Sequence, residues 1–303
     1  MNNVKISVIM LTYNRESMVG KMISCVLAQT FTDFEFIIVD NGSSDSSGKI
    51  ADEYAEKDSR IKVIHREKGN IGSGRNAGLD VAVGEYIAFV DDDDEIENDY
   101  LQYLYNLILS NVADVSICSF KGKKFDELLV MNNEEAIEQL LWRKFYNNQF
   151  ILKLIKRSLF DDCRFSLDAK YDDIELMTTI LARAEKIVFG GEPKYIINRH
   201  ENCNSRWTQD NRYLDLQTLD EYLLVYRYRT DFLIEKFPEK EKLWKYFEWS
   251  FWLSMVEKVT RLNLKDCLNK KEELLAKLKE NKDMLCELPY LQKFEKDWIG
   301  IYL

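Results

Sequence analysis

The chain has 303 residues, of which 46% are hydrophobic and 31% charged, with a net charge of −10 and a pI near 5.0. This composition is typical of a globular protein and excludes disordered or fibrous chains. The acidic balance also argues against nucleic acid as a partner, because nucleic-acid binding depends on neutralising phosphates with Lys and Arg.

The six cysteines form no CxxC pair, and the two histidines do not complete a zinc pattern. We therefore expect reduced thiols in a reducing cytosol.

The N-terminal residues begin a strand at once, without the features of a signal peptide. No window of the sequence reaches the ~18 apolar residues of a membrane span. The sequence predicts a cytoplasmic protein, and peripheral contact with the inner face of the cell membrane stays open.

The first 120 residues alternate short apolar runs with helical periodicity. The apolar runs predict strands at Val4–Leu11, Phe34–Val39, Ile61–His65, Glu85–Val90 and Ala113–Cys118. The periodic segments predict helices at Glu16–Gln29, Ser46–Lys57, Gly72–Val83 and Asn98–Ser110. This order predicts an α/β fold of the Rossmann type, with a mostly parallel sheet flanked by helices.

The rest of the chain changes character at about Trp207. Before that point the patterns predict strands at Phe150–Lys156, Lys186–Phe189 and Lys194–Asn198, and a helix at Asp172–Ala184. After it the chain mixes charged, apolar and aromatic residues with helical periodicity, so we expect an α-helical C-terminal extension over residues 207–303.

Polar clusters follow three of the predicted strands. They are Thr12-Tyr13-Asn14, Asp40-Asn41-Gly42 and Asp91–Asp94. Ligands of parallel α/β sheets bind in the crevice at the carboxyl ends of the strands. We therefore expect these clusters to line one crevice.

The run Asp91–Asp94 places four carboxylates side by side after a buried strand. Their mutual repulsion grows as water is excluded, and a hard cation such as Mg²⁺ or Mn²⁺ relieves it while binding phosphate oxygens as well. The alternative is a solvated acidic turn that caps the next helix.

The glycine-rich segment Gly72–Gly78 lacks the GxGxxG spacing and follows the third strand, which disfavours a nicotinamide dehydrogenase. It fits a helix start from which Arg75 projects into the crevice.

Four motifs occur in order over about 120 residues: TYNR at Thr12–Arg15, VDNGSSD at Val39–Asp45, GSGRNAGL at Gly72–Leu79 and GEYIAFVDDDD at Gly84–Asp94. Together they resemble the nucleotide-binding half of inverting family 2 glycosyltransferases, which have the GT-A fold. The resemblance implies a GT-A catalytic domain over residues 1–206. Within it, residues 1–120 would bind a nucleotide-sugar, and residues 121–206 would form the acceptor side and supply the catalytic base.

The resemblance also implies roles for single residues. It places donor contacts at Thr12, Tyr13, Asn14, Asp40, Arg75 and Asp92. Among these, Asp40 would read the nucleobase and Arg75 would lie beside it. Asp91 and Asp93 would hold Mn²⁺ or Mg²⁺ against the donor diphosphate. Asp94 would either contact the sugar or cap the next helix, and Tyr13 has the alternative of being a core residue.

Farther along, Tyr171–Leu176 is similar to a family motif whose second acid is the catalytic base, which implies that role for Asp173. The alternative is that Asp172 and Asp173 only cap a helix. The segment that begins at Tyr195 is similar to one that closes over the diphosphate. Arg199 and His200 are its candidates for donor binding. His65 ends a strand and is assigned no role.

The implied function is inverting, metal-dependent transfer of a sugar, with a UDP-sugar favoured as donor. The acceptor would be a hydroxyl of a glycan or a polyprenyl-linked oligosaccharide in cell-surface polysaccharide biosynthesis. Two alternatives stay open, a nucleotidyltransferase and a nucleotide-sugar-binding protein without catalysis. The C-terminal segment around Trp244, Trp249 and Trp252 fits either a membrane interface or packing on the catalytic domain or on another subunit of a homo-oligomer.

Overall fold

The computed structural model describes residues 4–167, 171–198 and 214–303. The chain divides into two compact units, Met1–Asn198 and Arg199–Leu303. The domain boundary expected between residues 206 and 207 lies outside the described residues and stays a prediction.

The first unit is built from alternating strands and helices. Its strands are β1 (Ile6–Thr12), β2 (Phe34–Asp40), β3 (Ile61–His65), β4 (Tyr86–Asp91), β5 (Glu95–Ile96), β6 (Val115–Phe120), β7 (Leu128–Met131), β8 (Lys153–Lys156) and β9 (Ile187–Ile196). Its helices are α1 (Val19–Leu27), α2 (Ser47–Ala55), α3 (Ile71–Val81), α4 (Tyr100–Asn111), α5 (Asn133–Trp142) and α6 (Asp172–Arg183). A short 3₁₀ helix, Arg157–Phe160, follows β8.

Within the described residues the strands form one nine-stranded sheet in the order β3-β2-β1-β4-β8-β6-β9-β5, with β7 also paired to β9. The strands β3, β2, β1 and β4 are parallel. From β8 onward the sheet is mixed, because β8 runs antiparallel to both β4 and β6. The α/β fold predicted from the sequence is confirmed, and its parallel half is the half that carries the three polar clusters.

The two faces of β1 are covered by different helices. Ile6, Val8 and Met10 belong to a core that includes apolar residues of α1 and α4. On the other face, methyl groups built onto Gly74 and Gly78 would overlap the side chains of Leu11 and Ile9. Gly74 and Gly78 of the GSGRNAGL motif therefore let α3 lie directly on β1. Close helix-to-sheet packing explains their presence without any contact to a phosphate.

Several elements differ from the expectation. The two short strands expected at Lys186–Phe189 and Lys194–Asn198 form a single strand, β9, which continues through Gly190, Gly191 and Pro193. Residues of that kind usually interrupt a strand, and here the pairing with β6 shifts register near Pro193 instead of ending. The strand β7 and helix α5 were not predicted.

The second unit is helical, as expected for the C-terminal residues. Its helices are α7 (Leu216–Lys236), α8 (Glu241–Arg261), α9 (Leu268–Glu280), α10 (Lys282–Glu287) and α11 (Lys293–Tyr302), with short 3₁₀ helices at Pro238–Lys240 and Lys265–Cys267. Trp244 and Trp249 are buried, so these two indoles serve as core residues and not as an exposed membrane-facing surface. Within the described residues, every helix is too short or too polar to cross a membrane.

Candidate functional site

Strand pairing brings the three polar clusters together. Thr12, the last residue of β1, pairs in register with Asp40, the last residue of β2. On the other side of β1, Leu11 pairs with Asp91, the last residue of β4. The three polar clusters therefore meet at one edge of the sheet, where the crevice was predicted, and β1 lies at the centre of that edge.

Two loops on one side of this crevice, residues 12–16 and 40–47, are called the base-side loops below. The Asn14 N–H donates to Ser43 Oγ at 3.0 Å, and Asn14 Oδ1 accepts from the Ser44 N–H at 2.8 Å. Asn14 has a φ of 52°, a left-handed conformation that asparagine tolerates better than most residues. The Arg15 N–H donates to the buried Ser47 Oγ at 2.8 Å. The chain itself therefore fixes the two base-side loops against each other.

Thr12 and Tyr13 occupy different positions in these loops. Thr12 is buried, and a hydrogen bond between its hydroxyl and Asp92 lowers the pKa of Asp92 against the effect of burial. Tyr13 is 36% exposed, and Lys68 Nζ lies 4.6 Å from the centroid of its ring. Tyr13 is therefore a surface residue and not part of the core.

Asp40 is buried and accepts hydrogen bonds at both oxygens. Its Oδ1 accepts from the Ser43 N–H at 3.0 Å, and its Oδ2 lies 3.1 Å from His65 Nδ1. The other ring nitrogen of His65, Nε2, lies 3.0 Å from Asp52 Oδ1. Sequence reasoning assigned His65 no role. The signal was available, because β2 and β3 were both predicted and end at Asp40 and His65.

On the opposite side of the crevice lies the acidic run, Asp91–Asp94. Arg15 Nε is 3.8 Å from Asp92 Oδ1, and Arg15 Nη2 is 3.9 Å from Asp93 Oδ2. Arg75 Nη2 is 3.5 Å from Asp91 Oδ1. These distances are longer than ordinary hydrogen bonds between nitrogen and oxygen. Both arginines therefore offset part of the negative charge of the acidic run at long range.

Three carboxyl groups of the acidic run, those of Asp91, Asp92 and Asp94, have raised pKa values. Partial removal from water raises the pKa of Asp91, Arg75 opposes the rise, and Asp93 adds to it. Burial, together with repulsion from its charged neighbours, raises the pKa of Asp92 to about 7. Burial and repulsion from Asp91 raise the pKa of Asp94 to about 8. Like charges held close together in a low-dielectric site produce this effect, and a nearby cation reverses it.

The segment at the end of β9 fixes the shape of the acidic run. The buried Tyr195 hydroxyl accepts a hydrogen bond from the Asp91 N–H at 3.1 Å. The Asn198 N–H donates to Asp94 Oδ1 at 2.8 Å, and Asn198 Nδ2 donates to the Asp93 carbonyl at 3.0 Å. Sequence reasoning missed these roles of Tyr195 and Asn198. Arg199 and His200, predicted to bind the donor, lie outside the described residues.

The Arg75 side chain extends from α3 and lies against two aromatic rings. Its guanidinium carbon lies 5.3 Å from the ring centroid of Phe165 and 5.9 Å from that of Phe89. Asn76 fixes Phe165 in place, since its Nδ2 donates to the Phe165 carbonyl at 2.9 Å and its Oδ1 accepts from the Phe165 N–H at 3.0 Å. The structure places Arg75 against Asp91, and its expected position beside the nucleobase stays a prediction.

Asp173 lies in the first turn of α6. Burial raises its pKa, while the positive charges of Arg75 and Arg143 oppose the rise. The ammonium of Lys153 is also buried nearby, where it donates to the Asn147 carbonyl at 3.0 Å. Burial lowers the pKa of Lys153 to about 7, with Cys118 and Asp173 opposing the shift. The side chain of Asp172 lies outside the described part of the structure.

The acidic run provides a partial set of ligands for a hard cation. Mg²⁺ and Mn²⁺ prefer oxygen ligands and are often held by one or two carboxylates plus substrate phosphates. Over residues 4–167, 171–198 and 214–303, no cluster of three or more His, Cys, Asp or Glu side chains forms a complete metal site. The side chains of Asp91 and Asp93 are 43% and 14% exposed, and crowded carboxylates that reach water fit a cation whose remaining ligands come with a substrate.

Comparisons with known sequences agree with these features. The family model described as Glycosyl transferase family 2 matches residues 7–172. The glycosyltransferase GlyG of Streptococcus pneumoniae is 32% identical over 231 residues, which cover 68% of this chain and 76% of GlyG. The uncharacterized glycosyltransferase EpsJ of Bacillus subtilis is 32% identical over 221 residues, which cover 65% of this chain and 62% of EpsJ. The chain spans only 32% of a third relative, the glycosyltransferase GlyA of Streptococcus pneumoniae.

Comparisons with solved structures agree on the fold. TarS of S. aureus, in a crystal structure of residues 1–349 in complex with UDP-GlcNAc, superimposes with a TM-score of 0.65 at 19% identity, covering 93% of this chain and 89% of that one. The mannosyltransferase PcManGT from Pyrobaculum calidifontis, in complex with GDP-Man and Mn²⁺, superimposes with a TM-score of 0.57 at 14% identity, covering 98% of this chain and 84% of that one. The GT-A fold implied by the four motifs is therefore confirmed. With more than half of its residues matched by the family model, the chain belongs to glycosyl transferase family 2.

Proposed function

We propose that this glycosyltransferase moves a sugar from a nucleotide-sugar donor, with a UDP-sugar favoured, to a hydroxyl of a glycan acceptor. The transfer would invert the anomeric configuration and would require a divalent cation held by Asp91 and Asp93. Participation in cell-surface polysaccharide biosynthesis, with a glycan or polyprenyl-linked acceptor, is part of the same proposal.

The position of Arg75 is the observation that supports this proposal most directly. Its guanidinium lies 3.5 Å from Asp91, and its charge lowers the pKa of both Asp91 and Asp173 against the effect of burial. One cation thus acts on the proposed metal-binding acid and on the proposed base. A diphosphate leaving group and an attacking hydroxyl need these groups within a single crevice.

The donor would be held from two sides. The base-side loops present the buried Asp40 carboxylate, which we assign to a nucleobase N–H, and the exposed ring of Tyr13. Asp91 and Asp93 would hold Mn²⁺ or Mg²⁺, which neutralises charge on the diphosphate and so improves it as a leaving group. Arg15 and Arg75 add positive charge on the same side.

Asp173 would accept the proton of the acceptor hydroxyl as that oxygen attacks the anomeric carbon. A general base works best when its pKa lies near the working pH. Burial raises the pKa of Asp173, whereas Arg75 and Arg143 keep it from rising further. A single displacement from the face opposite the leaving group inverts the configuration at that carbon.

Two neighbours in structure support a nucleotide-sugar as the donor. The TarS structures include complexes with UDP-GlcNAc and with UDP, and the PcManGT structure contains GDP-Man and Mn²⁺. These ligands belong to those proteins. For this chain, UDP is favoured through the assignment of Asp40 and Arg75 to the nucleobase.

A thermal-shift screen tests the proposal. The purified protein is heated with UDP, GDP, dTDP or CMP, each with Mn²⁺ or with EDTA, because a ligand that binds only the folded state raises its stability by mass action. We expect UDP with Mn²⁺ to raise Tm and EDTA to remove the rise. A larger shift with GDP would change the donor class, and the same shift in EDTA would contradict the metal assignment.

A further inference from the structure

His65 bridges two carboxylates that come from different elements. Asp40 and His65 are register partners at the ends of β2 and β3, so their side chains leave the sheet on the same face. His65 Nδ1 lies 3.1 Å from Asp40 Oδ2, and Nε2 lies 3.0 Å from Asp52 Oδ1 on α2. This arrangement of three side chains is called the histidine bridge below.

A glycine in helix α2 leaves space for the histidine bridge. Gly48 precedes Asp52 by four residues, so both lie on the same face of the helix. A methyl group at Gly48 would overlap Asp40 Oδ2 and would lie 3.1 Å from His65 Cε1. The absence of a side chain at position 48 therefore leaves room for the carboxylate and the imidazole.

The geometry is fully satisfied only by a protonated imidazole. A neutral imidazole has one N–H, whereas an imidazolium has two, and an ionised carboxylate only accepts hydrogen bonds. With a carboxylate oxygen at each ring nitrogen, the neutral form would leave one nitrogen lone pair facing a negative charge. Consistent with this, hydrogen bonds to Asp40 and to Asp52 raise the pKa of His65.

The two carboxylates differ in their freedom to move. The side chain of Asp52 is 51% exposed and can turn to water, but that of Asp40 is only 10% exposed. Asp40 is also held by the Ser43 N–H at 3.0 Å. A change of charge on His65 therefore acts mainly on Asp40.

We propose that His65 is a positioning residue for the donor, whose imidazolium holds the Asp40 carboxylate in the orientation that accepts a hydrogen bond from a nucleobase N–H, so that affinity for the nucleoside diphosphate depends on pH. This inference rests on the proposed role of Asp40. A neutral imidazole has only one N–H for the two carboxylates beside it, so loss of the second proton of His65 removes one of the two hydrogen bonds that fix the bridge.

The direction of the pH dependence follows from the raised pKa of His65. Its contribution is complete below the ordinary histidine pKa and is lost as the pH rises through the pKa in the folded protein. Nucleobase recognition should therefore weaken toward alkaline pH. A charged hydrogen bond is about twice as strong as a neutral one, so we expect an effect of about tenfold on affinity.

Calorimetric titration with UDP and with inorganic pyrophosphate, each with Mn²⁺, separates this effect from others. Both ligands change their own protonation and metal binding with pH, but only UDP has a base. The ratio of the two affinities between about pH 5.5 and 8.5, a range that extends well above the ordinary histidine pKa of about 6.5 because the pKa of His65 is raised, isolates the base. We expect the ratio for the wild type to fall about tenfold across this range. In H65Q it should be low throughout, without a pH step.

D52N provides the matched test of the bridge. Replacing the outer carboxylate by an amide keeps a hydrogen-bond acceptor but removes one negative charge, so the pKa of His65 should fall. The step in the affinity ratio should move to lower pH while the ratio at pH 5.5 stays close to that of the wild type. The chain has two histidines, so NMR titration of the imidazole signals, assigned with H200Q, follows the same change directly.

Three results would contradict parts of the argument in different ways. A wild-type affinity ratio and pH step in H65Q would overturn the role of His65 alone. Equal titration midpoints for His65 in the wild type and D52N would overturn the bridge, and this NMR test remains decisive if H65Q fails to fold. No binding of UDP by the folded wild type would overturn the proposed function and this inference together.

Discussion

Asp40 and Asp92 are both buried carboxylates near the ends of strands that pair with β1, yet their surroundings differ. Asp40 receives hydrogen bonds from the Ser43 N–H and from His65. For Asp92, burial and repulsion from Asp93 and Asp91 raise the pKa to about 7, and the Thr12 hydroxyl and Arg15 only partly oppose the rise.

This difference separates two ways of building a ligand site. The base-side loops are fixed by the chain, so they can recognise a ligand without rearranging. The acidic run is held in shape by Tyr195 and Asn198, but its charge is only partly offset by the chain. A cation is therefore expected to complete the acidic run and to leave the base-side loops almost unchanged.

The largest expected effect is on the transfer rate and comes from a substitution at Asp173, which lies outside the base-side loops and the acidic run. D173N removes the proposed base, and we expect the transfer rate to fall by about 10³-fold. The Kd for UDP with Mn²⁺ should stay close to the wild-type value, because neither the base-side loops nor the acidic run is changed.

Initial rates of nucleoside diphosphate release from the donor found in the screen measure this effect. E175Q is the matched control, since it removes one negative charge from an exposed position on the same helix. A wild-type transfer rate in D173N would remove Asp173 from the role of base.

The second-largest expected effect is a loss of metal-dependent binding when a carboxylate of the acidic run is removed. Loss of one carboxylate ligand in D91N should weaken Mn²⁺-dependent binding of UDP by about 100-fold. EDTA should cause a similar loss in the wild type and little further loss in D91N. Stability of the free protein should not fall, because D91N relieves repulsion within the acidic run.

Calorimetry with and without EDTA measures the binding of UDP. D80N is the control, because Asp80 has a side chain that is 65% exposed and lies on α3. If D91N bound UDP with Mn²⁺ as tightly as D80N does, the metal would have to be held elsewhere.

The base-side loops are tested by a pair of glycine substitutions. G48A places a methyl group against Asp40 Oδ2 and should lower the affinity for UDP about tenfold by displacing the carboxylate. The helix itself should gain up to about 1 kcal/mol, because alanine is a better helix former than glycine. Weaker binding in a protein of equal or greater thermal stability is the signature we expect.

G20A is the matched control on α1, where a methyl group would meet its neighbours no closer than 3.7 Å. It should gain helix stability in the same way and bind UDP normally. Equal affinities of G48A and G20A would show that the position of the Asp40 carboxylate does not matter for binding.

The sequence predicted the parts of the site that depend on strand order. Asp40 and Asp91 follow apolar runs, and parallel pairing on either side of β1 brings them to one edge of the sheet. It did not predict the side chains that hold them. Tyr195 and Asn198 reach the acidic run from more than 100 residues away, and such contacts depend on how β9 joins the sheet.

Burial of an acidic residue does not by itself identify a functional site, because a buried acid can be fully hydrogen-bonded by its neighbours. Glu35 is buried in β2 as Asp40 is. Burial alone would raise the pKa of Glu35, but hydrogen bonds from Lys62, Ser7 and the Val83 N–H bring it below its ordinary value. Glu35 is thus a fully satisfied structural acid. The sequence could not separate it from Asp92, since the partners of Glu35 come from β1, β3 and the turn before β4.

The smallest expected effect concerns the contact between the base-side loops. The Ser47 hydroxyl accepts from the Arg15 N–H at 2.8 Å and donates to Asp45 Oδ1 at 2.5 Å. S47A should lower the free energy of unfolding by about 1 kcal/mol, because the partly buried Arg15 N–H loses its acceptor. Urea denaturation measures the loss of stability. The control S46A, at an exposed position beside Ser47, should change stability by less than about 0.5 kcal/mol.

Since the acidic run does not depend on this contact, EDTA should reduce the affinity of S47A for UDP by the same factor as in the wild type. A larger EDTA effect in S47A would mean that the two sides of the crevice are coupled through Arg15, whose side chain lies against Asp92 and Asp93.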